Sequence, residues 1–423
     1  MKTNLINFKK ALTLCKKQID AKGMMPVLAH VRLEGNGETL TLRATDLSST
    51  LRVTMSCEGK LDAVIVDHKR LAAVCDAKGK KGTDEVTIAL TWKPGIVYGK
   101  CDTEHPDLKS TWGEKSLCCT LARDHEGPHQ LYAGIDLVEW EAPAKKHPPV
   151  PEEPMLTVMV GTRSFSLQAR RATEFPAIPE FKKSKCGPIY GARELRDALE
   201  YVLPAVSSDE TRSHLNRICL CDTRMVATNG HRLHLASDLP KIEQETHLPG
   251  GAACILKDTL KDALSSITVD LHEDKRSTWT VTSRTFQATL DICGQEAQFP
   301  PFEEVIPMEM DAKVRLQGET KILTEAVRMA QKISEGNSGM RLLIDGQVRI
   351  FVDASQDSSP SYAEILPLTS EGDLKIVINP WYVLEALDGI GDTFKFYNAG
   401  GPKAPNVFYS TDHKRLAVVM AYV

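Results

Sequence analysis

The sequence predicts an α+β protein in which one domain, built from two helices and several strands, occurs three times. The chain has 423 residues, more than a single hydrophobic core usually holds. Short helical patterns alternate with short strand patterns throughout, and no long apolar periodicity interrupts them. An apolar strand followed by a short helix recurs at 64–75, 254–267 and 376–390, so whole domains repeat.

The first copy opens with a predicted helix over 5–19, where Leu5, Phe8, Leu12 and Cys15 share one face. Two strands follow, V-L-A-H-V-R-L-E and L-T-L-R-A-T-D-L, joined by a G-N-G-E turn. After a short helix, H-K-R-L-A-A-V-C, the strand T-I-A-L-T-W leads into an insertion at about 93–154. This insertion ends in A-P-A-K-K-H-P-P-V-P-E-E-P, a composition typical of an exposed arm.

The second and third copies repeat that order. A helix is predicted over 193–206, followed by the strands L-N-R-I-C-L-C-D and M-V-A-T-N-G-H-R-L. In the unit 254–267 the apolar run A-C-I-L is expected to be the strand and the residues after it the helix. The predicted domains are 1–182, with the insertion, 183–308 and 309–423. The alternative is that any α+β protein shows a similar rhythm by chance.

Composition restricts the class of protein. Hydrophobic residues make up 42% and charged residues 26%, as in soluble globular proteins, and no run approaches the roughly 18 apolar residues of a membrane span. The first residues lack the apolar core of a signal peptide, and the eleven cysteines are scattered and odd in number. We therefore expect a cytoplasmic protein with reduced thiols. A net charge of −4 means that any nucleic-acid binding requires a local basic surface.

Five motifs stand out along the chain: V-A-T-N-G-H-R-L (226–233), M-P-V-L with L-T-L-R-A-T-D-L (25–47), R-S-F-S-L followed by E-F-P-A-I (163–178), Q-F-P-P-F-E-E-V-I-P (298–307) and the terminal V-V-M. These motifs resemble those of the bacterial sliding clamp, the β subunit of DNA polymerase III. They occur in the family's order and cover nearly the whole chain apart from the insertion.

The resemblance implies three DNA-clamp domains per chain and a ring of two subunits around duplex DNA, with twelve short helices lining the hole and sheets outside. It also implies a non-enzymatic processivity factor that uses no cofactor. The expected partners are double-stranded DNA, a DNA polymerase, the clamp loader and a second copy of the chain. A weakly basic lining suits a ring that slides, since tight phosphate contacts would hold it in place.

The family binds short linear motifs of its partners in a cleft between the second and third domains. Such a cleft needs apolar walls for Leu or Phe anchors and a few polar groups for the peptide backbone. The positions that match by motif are Leu215, Thr228, Gly230, His231, Arg232, Leu233, Pro300, Val305, Val418, Val419 and Met420. The alternative for the N-G-H-R segment is a plain hairpin with a solvated His and Arg.

The positions that match DNA contacts of the family are Lys22, Lys69, Arg212, Ser213 and His214. The last three occupy a loop in which the family often has aromatic side chains, and each lysine could equally be a solvated surface charge. At the expected ring interface, Gln331 and Lys332 stand near positions that are often apolar, with Ile333 as a possible substitute.

Two departures from the family concern the cleft. Ala421-Tyr422-Val423 follows V-V-M where a Pro is usual, and Glu304 replaces a common Arg before the cleft valine. A specialised clamp paralogue with restricted partners is therefore an alternative.

The insertion concentrates residues that could bind a metal: Cys101, His105, Cys118, Cys119, His125 and His129. H-E-G-P-H has the H-x₃-H spacing of zinc sites, yet no C-x-x-C accompanies it, so buried free thiols are the alternative. An enzyme with a Cys-His nucleophile in this segment is the least favoured interpretation. Elsewhere G-x-x-x-x-G-K-S/T, G-x-G-x-x-G and H-E-x-x-H are absent.

Overall fold

The computed structural model describes most of the chain. The described ranges are 1–19, 25–76, 85–93, 104–109, 116–118, 129–133, 136–140, 153–177, 184–209, 211–262, 266–273, 275–294, 298–333, 339–353 and 360–422.

The first part of the chain places its first helix as the sequence predicts. Leu5, Phe8, Leu12 and Cys15 are all buried on one face of this helix, and Asn4 caps its N-terminus by accepting hydrogen bonds from the backbone of Ile6 and Asn7. The elements of this part are β1 (Lys2–Asn4), α1 (Leu5–Gln18), β2 (His30–Thr45), β3 (Ser49–Asp67), α2 (His68–Asp76), β4 (Glu85–Lys93), β5 (Glu104–Lys109), β6 (Ser116–Cys118), β7 (His129–Ala133), β8 (Asp136–Trp140), β9 (Glu153–Val160) and β10 (Arg163–Arg171).

In the second part, the first helix ends earlier than the sequence predicts. The helix predicted over 193–206 gives way to a 3-10 turn at Leu203–Ala205, because Pro204 supplies no backbone N–H. The elements of this part are β11 (Ser184–Gly191), α3 (Ala192–Val202), β12 (Arg217–Asp222), β13 (Arg224–Thr228), β14 (Arg232–Ala236), β15 (Ile242–Pro249), α4 (Gly250–Thr259), β16 (Ser266–His272), β17 (Ser277–Thr282) and β18 (Phe286–Ile292).

The strand expected at A-C-I-L was wrong, because Cys254 lies inside α4. The strand before this helix is β15, whose charged and polar residues hid its pattern. A short apolar run fits a strand or a buried helix equally well by periodicity alone. Here Ala252, Ala253, Ile255 and Leu256 are all buried, as the helix requires.

The third part repeats the order of helix, strands, helix and strands. Its elements are β19 (Val314–Glu319), α5 (Thr320–Ile333), β20 (Met340–Asp345), β21 (Val348–Asp353), β22 (Pro360–Leu366), β23 (Thr369–Glu371), β24 (Asp373–Ile378), α6 (Pro380–Leu387), β25 (Thr393–Asn398), β26 (Asn406–Ser410) and β27 (Arg415–Val419).

Two large sheets run across the junctions between these parts. β3 pairs with β18 in antiparallel register from Met55 opposite Phe286 to Ser49 opposite Ile292, which joins the first and second parts in a ten-stranded sheet. β14 pairs with β27 and joins the second and third parts in a nine-stranded sheet. Strands that would otherwise be edges are thereby paired at both junctions.

The helices contact one another in pairs, α1 with α2, α3 with α4 and α5 with α6. α1 also contacts α4, so the first two pairs adjoin. Each helix buries one face against the sheets: Phe8, Leu195, Leu199 and Val327 are among the fully buried side chains of one continuous core.

The predicted insertion connects two strands that pair directly. β4 and β9 are antiparallel partners up to Trp92 opposite Pro154 and Lys93 opposite Glu153. Between them, β5 pairs with β6 and β7 pairs with β8 in two separate two-stranded sheets.

Candidate functional site

The N-G-H-R segment closes the hairpin between β13 and β14. Gly230 has a φ of +89°, a conformation that glycine adopts without a Cβ clash. Oδ1 of Asn229 accepts hydrogen bonds from the backbone N–H groups of His231 and Arg232, both at 3.0 Å. The hydroxyl of Thr228 accepts from Gly230 N–H and donates to the carbonyl of Arg232 at 2.7 Å. These bonds let the strand resume at Arg232 while the side chain of His231 stays exposed.

Arg232 turns away from the solvent and joins the second part of the chain to the third. Its guanidinium forms an ion pair with Glu385 on α6 and donates a hydrogen bond to the carbonyl of Pro204. It also lies over the ring of Tyr382, 4.3 Å from the ring centroid. Because the side chain is only 10% exposed, Arg232 acts as an internal tie under the hairpin.

Beneath the hairpin lies a compact apolar group, the outer cluster. It consists of Cys219, Val226, Leu233, Leu235, Phe299, Phe302, Tyr397, Val407, Tyr409 and Val418. Leu233 and Val418 are direct cross-strand partners in it. Val419, which the sequence placed beside Val418 in the cleft, instead lies in the main core, because successive residues of a strand point to opposite faces.

The remaining positions predicted for the cleft divide into a floor and a rim. Leu215, Thr228, Leu233 and Val418 are buried. The rim consists of the exposed Gly230, His231 and Val305 and the half-buried Pro300 and Met420.

Backbone bonding and packing hold the rim in place. Met420 donates its backbone N–H to the carbonyl of His231 at 2.9 Å, which fixes the end of β27 beside the hairpin. Met420 and Ile306 both pack against the outer cluster.

A 3-10 turn at Phe302–Val305, the far wall, carries Val305 of the rim. Arg224 holds it against β13 by a 3.0 Å ion pair with Glu303 and by lying 5.1 Å from the centroid of the Phe302 ring. The sequence reasoning missed Phe299, Phe302 and Ile306, although the motif Q-F-P-P-F-E-E-V-I-P contains them. Apolar residues in a proline-rich connection between two domains were the available signal.

The loop with Arg212, Ser213 and His214 adjoins the hairpin turn. A Cβ at Gly230 would lie 3.4 Å from Nη1 of Arg212, and the carbonyl of Ser213 accepts two hydrogen bonds from Arg217. His214 is half-buried in the same loop. The residues predicted to contact DNA and those predicted to bind peptides therefore form neighbouring surfaces. Lys69 is exposed on α2, and Lys22 lies outside the described residues.

A positively charged groove of about 430 Å³ lies where α1 meets α4. Four lysines line it, namely Lys9, Lys10, Lys17 and Lys261. Asp258 forms ion pairs with both Lys17 and Lys261, which ties the two helices together. Because the chain as a whole is acidic, contact with phosphates requires a local excess of positive charge such as this one.

A buried histidine lies directly behind the hairpin. Nδ1 of His234 is 2.7 Å from the carbonyl of Tyr201, and the side chain is fully buried. Burial lowers the pKa of His234 to about 4, and the positive charge of Arg232 also lowers it. The ring is therefore neutral. It packs against α3, where no substrate can reach it.

Among known proteins, sequence relatives of this chain include β sliding clamps of two Pseudomonas species. The clamp of Pseudomonas putida is 30% identical over 251 residues, which are 56% of this chain and 65% of the relative. The clamp of Pseudomonas aeruginosa is 28% identical over 254 residues, which are 57% of this chain and 66% of the relative. The match thus spans just under two thirds of the length of either relative. No protein-family model matches the sequence.

Solved structures extend the likeness to the whole chain. The β sliding clamp of C. crescentus superposes with a TM-score of 0.76 at 17% identity, covering 100% of this chain and 98% of that one. The DNA polymerase III subunit β of Pseudomonas aeruginosa superposes with a TM-score of 0.72 at 19% identity, covering 100% of this chain and 99% of that one. The fold is that of the sliding clamps. In sequence and in fold, the chain is similar to the bacterial β sliding clamps.

The tail that departs from the sliding-clamp motif is held by the third part of the chain. Ala421 forms a β-bridge with Ile378, and Tyr422 donates its backbone N–H to the carbonyl of Val377 at 2.8 Å. Glu304, the second departure, is exposed on the far wall. The outer cluster therefore contains neither Glu304 nor the tail residues Ala421 and Tyr422.

The structure does not test the metal ligands predicted in the insertion. Cys101, Cys119 and His125 lie outside the described residues, as do the side chains of His105, Cys118 and His129. Within the described ranges, none of the helices is both long and apolar enough to span a membrane.

Proposed function

We propose that this protein is a DNA sliding clamp that serves as a processivity factor and catalyses no reaction itself. The observation that carries the proposal is the junction of β14 and β27, where exposed rim residues lie beside a buried apolar floor within a clamp fold. A double-stranded DNA would pass through the ring, and a polymerase and the clamp loader would bind from outside. Such a role places the protein in the cytoplasm with the chromosome.

The three parts of the chain would act as domains 1–182, 183–308 and 309–423. This division is supported by the repeated order of helices and strands and by the two sheets that join neighbouring parts. Each domain would contribute two helices to the lining of the ring. Lys69 on α2 and the groove lysines between α1 and α4 would provide its positive surface, with Arg212, Ser213 and His214 at its margin.

The rim and floor residues between domains 2 and 3 would form the site for linear motifs of partners. Leu215, Leu233 and Val418 would support an apolar anchor from below, while Gly230, His231, Pro300, Val305 and Met420 would contact the peptide. Thr228 would hold the hairpin. The contacts of Arg232 support a positioning role, since its guanidinium is occupied by Glu385 and Pro204.

The ring would close between two copies of the chain. On α5, Gln331 is half-buried, Lys332 is exposed, and Ile333 packs partly against the core of its own chain. Light scattering across a dilution series tests closure, with a mass near twice 46.7 kDa expected. Replacing Lys332 with Leu should then shift dissociation to lower concentration.

A test of the whole function uses primed circular DNA together with the polymerase and clamp loader of the same organism. The clamp should lengthen the products, remain on the circle at high salt and slide off once the DNA is cut. Equal retention on circular and linear DNA would show electrostatic binding without encirclement, and the proposal would fail.

A further inference from the structure

Two short motifs of one sheet bring four metal-binding residue types together. C-L-C on β12 supplies Cys219 and Cys221, and E-T-H on β15 supplies Glu245 and His247. The strands are antiparallel neighbours with Cys219 directly opposite His247. Because alternate residues of a strand share a face, all four side chains belong to the same side of the sheet.

The potential ligand atoms are already close. Those of Cys219, Glu245 and His247 all lie within 4.8 Å of one another, and the Cys219 and Cys221 thiols hydrogen-bond to each other. Nε2 of His247 is 3.0 Å from Oε1 of Glu245. Cys219 and His247 are buried whereas Glu245 is exposed, so the cluster has a closed inner end and an entrance from solvent.

This arrangement matches the chemistry of zinc. Zinc takes four ligands in a tetrahedron, with bonds of about 2.3 Å to sulfur and about 2.0–2.2 Å to nitrogen and oxygen, so adjacent ligand atoms lie roughly 3.4–3.8 Å apart. Ligand atoms within 4.8 Å reach that spacing by small side-chain rotations. We propose that Cys219, Cys221, Glu245 and His247 form a structural site for a thiophilic divalent cation, with zinc as the preferred ion.

The surrounding charges favour a ligand set with three negative groups. Two thiolates and one carboxylate exceed the charge of a divalent ion by one. Arg217 and Lys275 lie beside the cluster and offset the difference: Lys275 is 3.8 Å from Glu245, and Nη1 of Arg217 is 3.4 Å from Nδ1 of His247. The charge of Arg224 also acts on Cys221, although its ion-pair partner Glu303 opposes it. The two thiol protons leave to solvent on binding, because the thiolate is the form that ligates.

His247 can ligate through Nε2 once its ring proton occupies Nδ1. That nitrogen faces Nη1 of Arg217 at 3.4 Å, a long and weak contact. Arg217 keeps its bonds of 3.1 and 2.7 Å to the carbonyl of Ser213 when this contact opens. The rearrangement therefore gives up this contact and the 3.0 Å hydrogen bond between Nε2 of His247 and Oε1 of Glu245, and bonds to the metal replace the second.

A metal here would brace the outer cluster. Cys219 belongs to the outer cluster, and the His247 ring lies 6.3 Å from that of Phe299, another member. The site would fasten β12 to β15 beneath Phe299. The inference rests on these residues alone and holds whether or not the chain encircles DNA.

Metal analysis of the full-length protein tests the site. The protein is stripped with a chelator, titrated with zinc and analysed for bound metal, and cobalt substitution is followed by its thiolate charge-transfer absorption. One ion per chain is expected, with at least tenfold weaker binding in Cys219→Ser, Cys221→Ser and Glu245→Gln. Cys186→Ser, which removes an exposed cysteine of the same domain, should bind as wild type does.

The insertion needs its own variants, because it contains other cysteines and histidines. Zinc that survives Cys219→Ser with His247→Ala but disappears in Cys118→Ser with His129→Ala would place the ion in the insertion and overturn the proposal. Absence of bound zinc or of the cobalt absorption in wild type would also overturn it. Glu245→Gln distinguishes loss of a ligand from misfolding. Because this side chain is exposed, the circular dichroism spectrum of the variant should match that of wild type while its affinity for zinc falls.

Discussion

The guanidinium of Arg232 and the carboxylate of Glu385 form an ion pair between β14 and α6, although 152 residues separate them in the sequence. Arg232 follows the hairpin turn directly, so the pair links the turn of the second domain to a helix of the third. The stacking of the same guanidinium on Tyr382 strengthens this link. The shape of the rim therefore depends on a contact that lies beneath it.

Replacing Arg232 with Met should destabilise the protein by about 2–3 kcal/mol, because Glu385 and the carbonyl of Pro204 lose their partner in a largely buried place. Arg232→Lys should reduce stability by less, since lysine keeps the positive charge. It should still have some effect, because lysine lacks the planar guanidinium. Urea unfolding followed by circular dichroism measures the change. Lys241→Met is the matched control: its pair with Asp222 is exposed and should contribute within about 0.5 kcal/mol. Equal effects of the two methionine substitutions would refute the role of Arg232.

Peptide binding should weaken severalfold when Val305 or His231 is replaced with Ala. Val305 is 47% exposed, and covering its remaining apolar surface is worth roughly 1 kcal/mol, or about fivefold in Kd. Fluorescence anisotropy with a labelled peptide from the polymerase of the same organism, carrying Leu and Phe anchors, provides the readout. Met310→Ala is the control, because Met310 is 80% exposed in the same connection but outside the rim. Unchanged affinity in both rim variants would show that the peptide binds elsewhere.

Neutralising Lys69 should reduce the salt dependence of DNA binding. Each phosphate contact contributes about 0.9 to the slope of log K against log salt concentration, so Lys69→Ala should lower the slope by about that amount per subunit. Titration of the loaded clamp over a range of salt concentrations measures it. Lys375→Ala, on the exposed face of β24, should leave the slope as it is. If Lys69→Ala behaves like Lys375→Ala, α2 does not face the DNA.

Folding stability should fall as the pH drops from 6.5 towards 4. Burial lowers the pKa of His234 from its usual 6.5 to about 4, so within this window the unfolded chain binds a proton that the folded chain excludes. That contribution is present above pH 6.5, is lost progressively as the pH falls and levels off below about 4. The pKa difference corresponds to roughly 3 kcal/mol.

Urea unfolding of wild type and His234→Gln at several pH values isolates this contribution. The variant lacks the titrating ring, so its stability should decline less between pH 6.5 and 4. Burial also lowers the pKa of His247, so some decline should remain in the variant. Parallel curves for the two proteins would mean that His234 is protonated without cost in the folded state.

Local features were well predicted from the residues. The face of α1 formed by Leu5, Phe8, Leu12 and Cys15 is buried because a period near 3.6 residues allows only one side of a helix to reach the core. Asn229-Gly230 predicted a turn, and Gly230 has the positive φ that this pair favours. The strand prediction at A-C-I-L was wrong because the local pattern fitted a strand and a buried helix equally well. Packing of α4 against α1 and α3 decided in favour of the helix.

The sequence by itself determined the α+β class, the threefold repetition and the motifs that resemble the sliding clamps, because these depend on composition and short-range periodicity. Only the tertiary structure placed Arg212 beside Gly230 and gave Arg232 its partner Glu385. It likewise set Cys219 opposite His247. Such relationships follow from strand register and from the meeting of distant segments, and a pattern read along the chain carries no information about either.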